Sequence, residues 1–302
     1  MKKTILAVSI AAAVLLTATL YAVPRFTAAD ENSGTEPAAN AEIVRLTRFQ
    51  GERITGISSG TSFQIELVKV ADRSQNRAVV EIDADLESYL RLEIDADGVV
   101  KVGLDRISPN LWRSIRNRTL KMTLYLGELD RVTLSGSGSI SVSDPNTTFQ
   151  GDKLIVRTTG SGSIRGLQFR GDYAEVECTG SGSVRMTAYV REVSAKASGS
   201  GRSDLTCNGS EYAKVTVSGS GGILIKGDAR QAELSSSGSG TLRGEEFKVQ
   251  NAKVRSTGSG GIRVWAGESI EGSVTGSGSV RYAGNPSRIN VSKSGSGTVR
   301  SL

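Results

Sequence analysis

The tripeptide Gly-Ser-Gly occurs nine times from Ser135 onward, and its spacing constrains the fold more than any other feature. The motifs start at Gly136, Gly160, Gly180, Gly199, Gly219, Gly238, Gly258, Gly276 and Gly295, separated by 18 to 24 residues with a mean near 20. A fixed period of this size marks stacked supersecondary units, none of which buries its apolar face without its neighbours. Eighteen of the 36 glycines belong to these motifs, so half of the glycine content is a periodic device and not a flexible linker. The 5 prolines and a hydrophobic fraction of 37% point the same way, because disordered chains are poor in aliphatics and rich in Pro.

The flanks of each motif show what it serves. Four residues before the first Gly stand Val132, Val156, Val176, Ala195, Val215, Leu234, Val254, Gly272 and Val291. Four residues after it stand Ile140, Ile164, Val184, Ser203, Ile223, Leu242, Ile262, Val280 and Val299. Both columns are mostly aliphatic. Local alternation, as in Ala213-Lys214-Val215-Thr216-Val217, has the period of two of half-buried strands, and no i, i+3, i+4 pattern is sustained. Further turn signals fall between the motifs at Gly151-Asp152, Gly171-Asp172, Asn208-Gly209, Gly227-Asp228 and Gly284-Asn285. Each unit therefore reads as strand, Gly-Ser-Gly bend, strand, turn. Twenty residues at roughly 3.3 Å each trace about 66 Å, one coil of a β-helix, and nine coils stacked about 4.8 Å apart make a rod about 43 Å long.

Residues 42–133 lack the motif but alternate like strands, as in Phe63 to Val70, Ala78 to Ile82, Leu90 to Ile94, Val99 to Leu104 and Leu120 to Leu126. We expect a β-rich cap segment there, since a solenoid end otherwise exposes unpaired strand edges, with a loop or short helix over Ser108 to Arg118. The expected organisation is a targeting segment at 1–23, a flexible linker at 24–41, the cap segment at 42–133 and a β-helix at 134–302. Lys2 and Lys3 before an uncharged run from Thr4 to Val23 form the basic and apolar regions of an export signal. That run is also long enough to span a bilayer, so a cleaved signal peptide and an uncleaved inner-membrane anchor both fit it. Either implies an exported protein of the periplasm or cell surface.

The absence of His removes imidazole triads, His-ligated metals and His pH switches together. No cofactor motif is present: Gly-Ser-Gly lacks the Lys-Ser/Thr of a phosphate-binding loop and the repeated Asp of calcium-binding β-helices. Cys178 and Cys207 read either as two unpaired apolar residues or as one bridge. The net charge of +6 is uneven: residues 24–133 carry 15 Lys+Arg against 17 Asp+Glu, whereas 134–302 carry 20 against 14.

Leu86-Glu87-Ser88-Tyr89-Leu90-Arg91-Leu92-Glu93-Ile94, the run Gly127 to Ser139, the repeated Gly-Ser-Gly-x-Ile/Val units and the ending Tyr282-Ala283-Gly284-Asn285-Pro286 to Ser294-Gly295-Ser296-Gly297 are similar to the autotransporter adhesin head domain, or head GIN domain. The resemblance covers about 45–302, with Gly127 standing where that family often has Pro. It implies an exported bacterial right-handed β-helix of adhesin type, without catalytic residues to carry over.

One outer column carries chemistry. Five residues after each first Gly stand Ser141, Arg165, Arg185, Asp204, Leu224, Arg243, Arg263, Arg281 and Arg300. Arg165, Arg185, Arg243, Arg263, Arg281 and Arg300 are candidate anion- or glycan-binding residues, because rows of guanidinium groups suit phosphate, sulfate or carboxylate polymers. A solvated, aggregation-resistant face is the alternative. The expected partners are envelope components or acidic polyanions, and the membrane if the N-terminal run is retained. Nucleic acid is not expected, since aromatic interleaving is absent. The invariant Ser of the motif reads as a corner hydroxyl ladder or a ligand-binding one. Phe169, Tyr189 and Phe247 read as a filled core corner or a sugar-stacking patch. A β-helical polysaccharide lyase or hydrolase using Asp204 is the enzymatic alternative to a binding or structural protein.

Overall fold

A computed structural model describes residues 18–20 and 42–302 and builds them almost entirely from strands. The expected export segment and linker lie outside the described residues, apart from Ala18–Leu20 (β1), which runs antiparallel to Ile43–Arg48 (β2). No helix among the described residues is long and apolar enough to cross a membrane.

The architecture is a β-solenoid of nine Gly-Ser-Gly turns. From Lys153 to Ser294 the strand before each bend pairs in parallel with its counterpart one coil later, for example Val156 with Val176 and Val215 with Leu234. The strand after each bend does the same, for example Ile223 with Leu242 and Leu242 with Ile262. The two aliphatic columns become continuous buried ladders: Val132, Val156, Leu234 and Val254 on one wall and Ile140, Ile164, Leu242 and Ile262 on the other have no exposed surface. Phe149, Phe169 and Phe247 fill the far end of the core. Parallel strands buried on one face and solvated on the other give the observed alternation of buried and open positions.

The bend is where glycine is required. The amide of the second Gly donates to the carbonyl of the first Gly one coil earlier, as in Gly182 to Gly160, Gly201 to Gly180 and Gly240 to Gly219 at 3.0, 3.0 and 2.8 Å. A Cβ on Gly180 would stand 2.2 Å from the Gly160 carbonyl oxygen, and one on Gly201 would stand 2.4 Å from that of Gly182. Neither contact is compatible with a side chain, so the repeat of glycine follows from the repeat of the coil.

The second turn behaves differently. The strand continues through it as a register shift, between Ala188 and Glu192, Cys207 and Ser210, or Leu224 and Gly227. These β-bulges bend the strand without ending its hydrogen-bonded ladder.

The segment before the first motif joins the same stack out of chain order. Gly56–Ser59 (β3) and Gln64–Lys69 (β4) lie beneath the first motif-bearing turn, β3 against Arg131–Leu134 (β5) and β4 against Ser139–Val142 (β6). On their other side lie Val99–Leu104 and Leu120–Leu126, which come later in the chain. Arg77–Asp83 and β2 then extend one wall antiparallel, while Leu90–Ile94 extends the other. Thr61 and Phe63 occupy the places of the two glycines, under Gly136 and Gly138. Side chains fit there because the neighbouring layer crosses between its walls by a long excursion, residues 105–119, and not by a tight bend. That excursion holds a short helix, Pro109–Ser114 (α1), whose N-cap Ser108 accepts from the Leu111 amide and whose first position is Pro.

Cys178 and Cys207 are both free and buried, on opposite walls, so the bridge is not formed. Burial, reinforced by Asp228, pushes the Cys207 thiol up to about 12, and burial raises Cys178.

Two outcomes follow from this packing. Gly180→Ala should destabilise by about 1–3 kcal/mol in urea unfolding through overpacking against backbone, whereas Gly103→Ala, with no atom within 4 Å of its added Cβ, should be neutral or mildly stabilising; equal effects would contradict the corner geometry. Because only the thiolate is nucleophilic, neither cysteine should be alkylated by iodoacetamide at pH 8 in the folded protein, and both should react in denaturant; rapid labelling of the native chain would refute the burial.

Candidate functional site

The wall that follows each bend presents three outward columns to solvent, separated by the inward-pointing residues of the core. Nearest the bend are the nine middle serines, Ser137 through Ser296, every one exposed. Their hydroxyls make no hydrogen bond to protein among the described residues, so the corner is held by backbone and the hydroxyls are left to solvent or ligand. The residue before each first Gly is also Ser or Thr in every turn, from Ser135 and Thr159 to Thr275 and Ser294. Two rows of nine hydroxyls therefore run along the corner. This doubled row was readable from the spacing but is hidden when only the tripeptide is counted.

The next column is small in most turns: Ser139, Ser163, Ser183, Arg202, Gly222, Thr241, Gly261, Ser279 and Thr298. Arg202 is the exception. Beyond it stands the Arg column, and the register brings its second half together as expected: Arg243 pairs with Arg263, Arg263 with Arg281 and Arg281 with Arg300 on four successive coils. Arg263 is held by Glu245 at 2.9 Å. Arg243, Arg281 and Arg300 have no ion-pair partner among the described residues.

The first half is less regular. The ladder shifts between Ile164 and Leu167, so Arg165 and Gly166 together face Arg185, and Gly166 adopts a φ of 76° at this bulge. Arg185 lies beside Asp204 in register and bonds it at 3.0 Å. The same shift separates the aromatic residues: Phe169 lies against Ala188, not Tyr189, and Tyr189 faces outward under the Arg170 guanidinium at 4.8 Å. Phe169 and Phe247 are core, so no stacking patch of the three forms.

The small column sinks below its neighbours and leaves a trough between hydroxyls and guanidinium groups. One hollow of about 550 Å³ lies among Ser163, Ser183, Arg165, Arg185 and Arg202. A second, of about 290 Å³, continues it past Ser200, Ser220, Leu224 and Thr241 to Arg243. Asp204 is the one carboxylate lining either hollow. An acid–base pair of carboxylates of the kind that hydrolyses glycosides is thus not brought together here.

A separate hollow near the cap lies among Arg53, Asp97, Asp130 and Asp152. Burial, then Glu128 with Asp152, pushes the Asp130 carboxyl up, with Arg53 opposing. No group of three or more metal-ligating side chains exists among the described residues.

Among solved structures, the chain is similar to one described as a putative lipid binding protein from Parabacteroides distasonis, at 20% identity and a TM-score of 0.64 over 87% of this chain and 98% of that one. It is equally similar to one described as a putative adhesin from Parabacteroides merdae, at 18% identity and a TM-score of 0.64 over 87% and 97%. A second such adhesin from Parabacteroides distasonis matches at 19% identity and a TM-score of 0.62 over 87% and 98%. At these identities the likeness shows the fold, and none of the three is described as an enzyme. No curated protein matches the sequence at a significant level. The family model described as "Putative auto-transporter adhesin, head GIN domain" matches residues 54–221 and 204–286, and together with the β-solenoid and its repeated corner this shows that the chain belongs to the head GIN domain family of adhesin-type proteins.

Proposed function

We propose that this solenoid is a binding protein of the bacterial surface that engages anionic polymers along its Arg column. The observation that carries the reading is the in-register row Arg243, Arg263, Arg281 and Arg300, three of whose guanidinium groups have no carboxylate partner among the described residues. A row of this kind repeats at the coil spacing, about 4.8 Å. It therefore meets a polymer that carries charge at many points better than it meets a single ion. Guanidinium groups bind carboxylate, sulfate and phosphate through paired N–H donors, and the rigid sheet fixes their positions before the ligand arrives. The uneven charge of the chain, concentrated in the half that bears the repeat, supports the same face.

The Arg column reaches its ligand without the N-terminal run, whichever way that run is processed. Export through Thr4 to Val23 places the face in the periplasm or outside the cell, where acidic glycans and other envelope polyanions are the available partners.

The test is retention on a sulfated polysaccharide matrix. The triple variant Arg243→Ser, Arg281→Ser, Arg300→Ser should bind roughly tenfold more weakly, on the order of 0.5 kcal/mol per exposed contact, and binding by the unaltered chain should fade with added salt. Replacing Arg191 and Arg230, at the opposite corner, should change retention far less. Equal losses in the two variants, or retention indifferent to salt, would remove the Arg row from the function.

A further inference from the structure

The fifth coil breaks both outward columns at once. In register with Arg202 and Thr241 stands Gly222, and in register with Asp204 and Arg243 stands Leu224. One position has no side chain and the other an aliphatic one, so a hollow of about 290 Å³ opens between two guanidinium groups. Its floor is Leu224 with the Gly221-Gly222 backbone. Its walls are Arg202 and Asp204 on one coil and Thr241 and Arg243 on the next but one, with Ser200 and Ser220 along the corner side. Arg202 and Arg243 are exposed and lack an ion-pair partner among the described residues. They lie two coils apart, a rise of about 10 Å, and are offset by two positions along the strand. Asp204 accepts from Arg185 through one oxygen at 3.0 Å, and its other oxygen is buried, turned away from solvent and without a hydrogen-bond partner.

This combination selects among anionic polymers. A polyphosphate or simple polyanion gains from the guanidinium groups alone, gains nothing from an apolar floor, and is repelled by Asp204. A pyranose ring has an apolar C–H face, hydroxyl donors and acceptors, and in an acidic sugar a carboxylate. Each has a counterpart here: Leu224 for the ring face, Ser200, Ser220 and Thr241 for hydroxyls, Arg202 and Arg243 for the carboxylate. The volume lies at the small end of ligand sites, which suits a ring held on an open polymer and not an enclosed small molecule. We propose that the hollow at the fifth coil is a subsite for one carboxylated sugar ring of an acidic glycan, an inference that rests on the polyanion-binding reading of the same face.

The test compares oligogalacturonate with inorganic polyphosphate, titrated calorimetrically into the full chain and into Arg202→Ser and Leu224→Ser. Leu224→Ser should weaken oligogalacturonate roughly tenfold and leave polyphosphate within about twofold, while Arg202→Ser should weaken both. Both residues face outward, and an unchanged melting temperature confirms that each variant folds; if Leu224→Ser melts early, Arg202→Ser alone must still weaken oligogalacturonate roughly tenfold for the subsite to stand. Polyphosphate binding with no oligogalacturonate binding, or an equal response of both ligands to Leu224→Ser, overturns the sugar subsite and leaves the Arg row standing. Binding of neither ligand by the unaltered chain overturns both.

Discussion

The contact on which the structure depends is the approach of one backbone to the next at the Gly-Ser-Gly bend. An amide of each coil reaches a carbonyl of the coil before it at normal hydrogen-bond length, at the place where the chain turns most sharply. Any Cβ directed along the stack would fall inside that carbonyl. With the bend closed, both walls hold their register, and the aliphatic columns meet as ladders and not as scattered side chains. Hydrophobic burial supplies most of the stability, but the bend decides that burial is periodic.

The same exclusion shapes the outer surface. Side chains are forbidden at the two glycines, so the serine between them is pushed outward, and its neighbours are held at a fixed spacing by the ladder. A surface built this way repeats with the rigidity of the core beneath it. Small residues beside the corner then leave a trough. The columns that border it bring hydroxyls on one side and guanidinium groups on the other, an arrangement no single coil possesses.

Much of this was legible in the sequence because a solenoid converts spacing into position. Residues four before and four after each motif are buried through most of the stack, with Gly272, Val291 and Val299 half-buried towards its C-terminal end, and the Arg residues five after it do fall into register from Arg243 to Arg300. Counting fails where a coil gains a residue. The bulge at Arg165–Gly166 moves every later position of that strand by one, which is why Phe169 and Tyr189 look equivalent on paper and are not. Counting also cannot see charge pairing between columns: Glu245 reaches Arg263 although the two lie in different columns. The hollow at Gly222 and Leu224 was invisible for a related reason, since it is made by two absences in adjacent columns. The leading segment resisted the reading most, because its layers are stacked in an order different from that of the chain.

That order has a kinetic consequence. Elsewhere in the solenoid each coil is completed by residues adjacent in sequence and finds its template already made. β3 and β4 do not: one side of this layer waits for residues 99–126 and the other for residues 131–142. A chain emerging N-terminus first thus carries β3 and β4 as unpaired strands until most of the first 142 residues are available. The leading block therefore closes only after the residues that flank it on both sides are available, and until then its strand edges are open to mispairing.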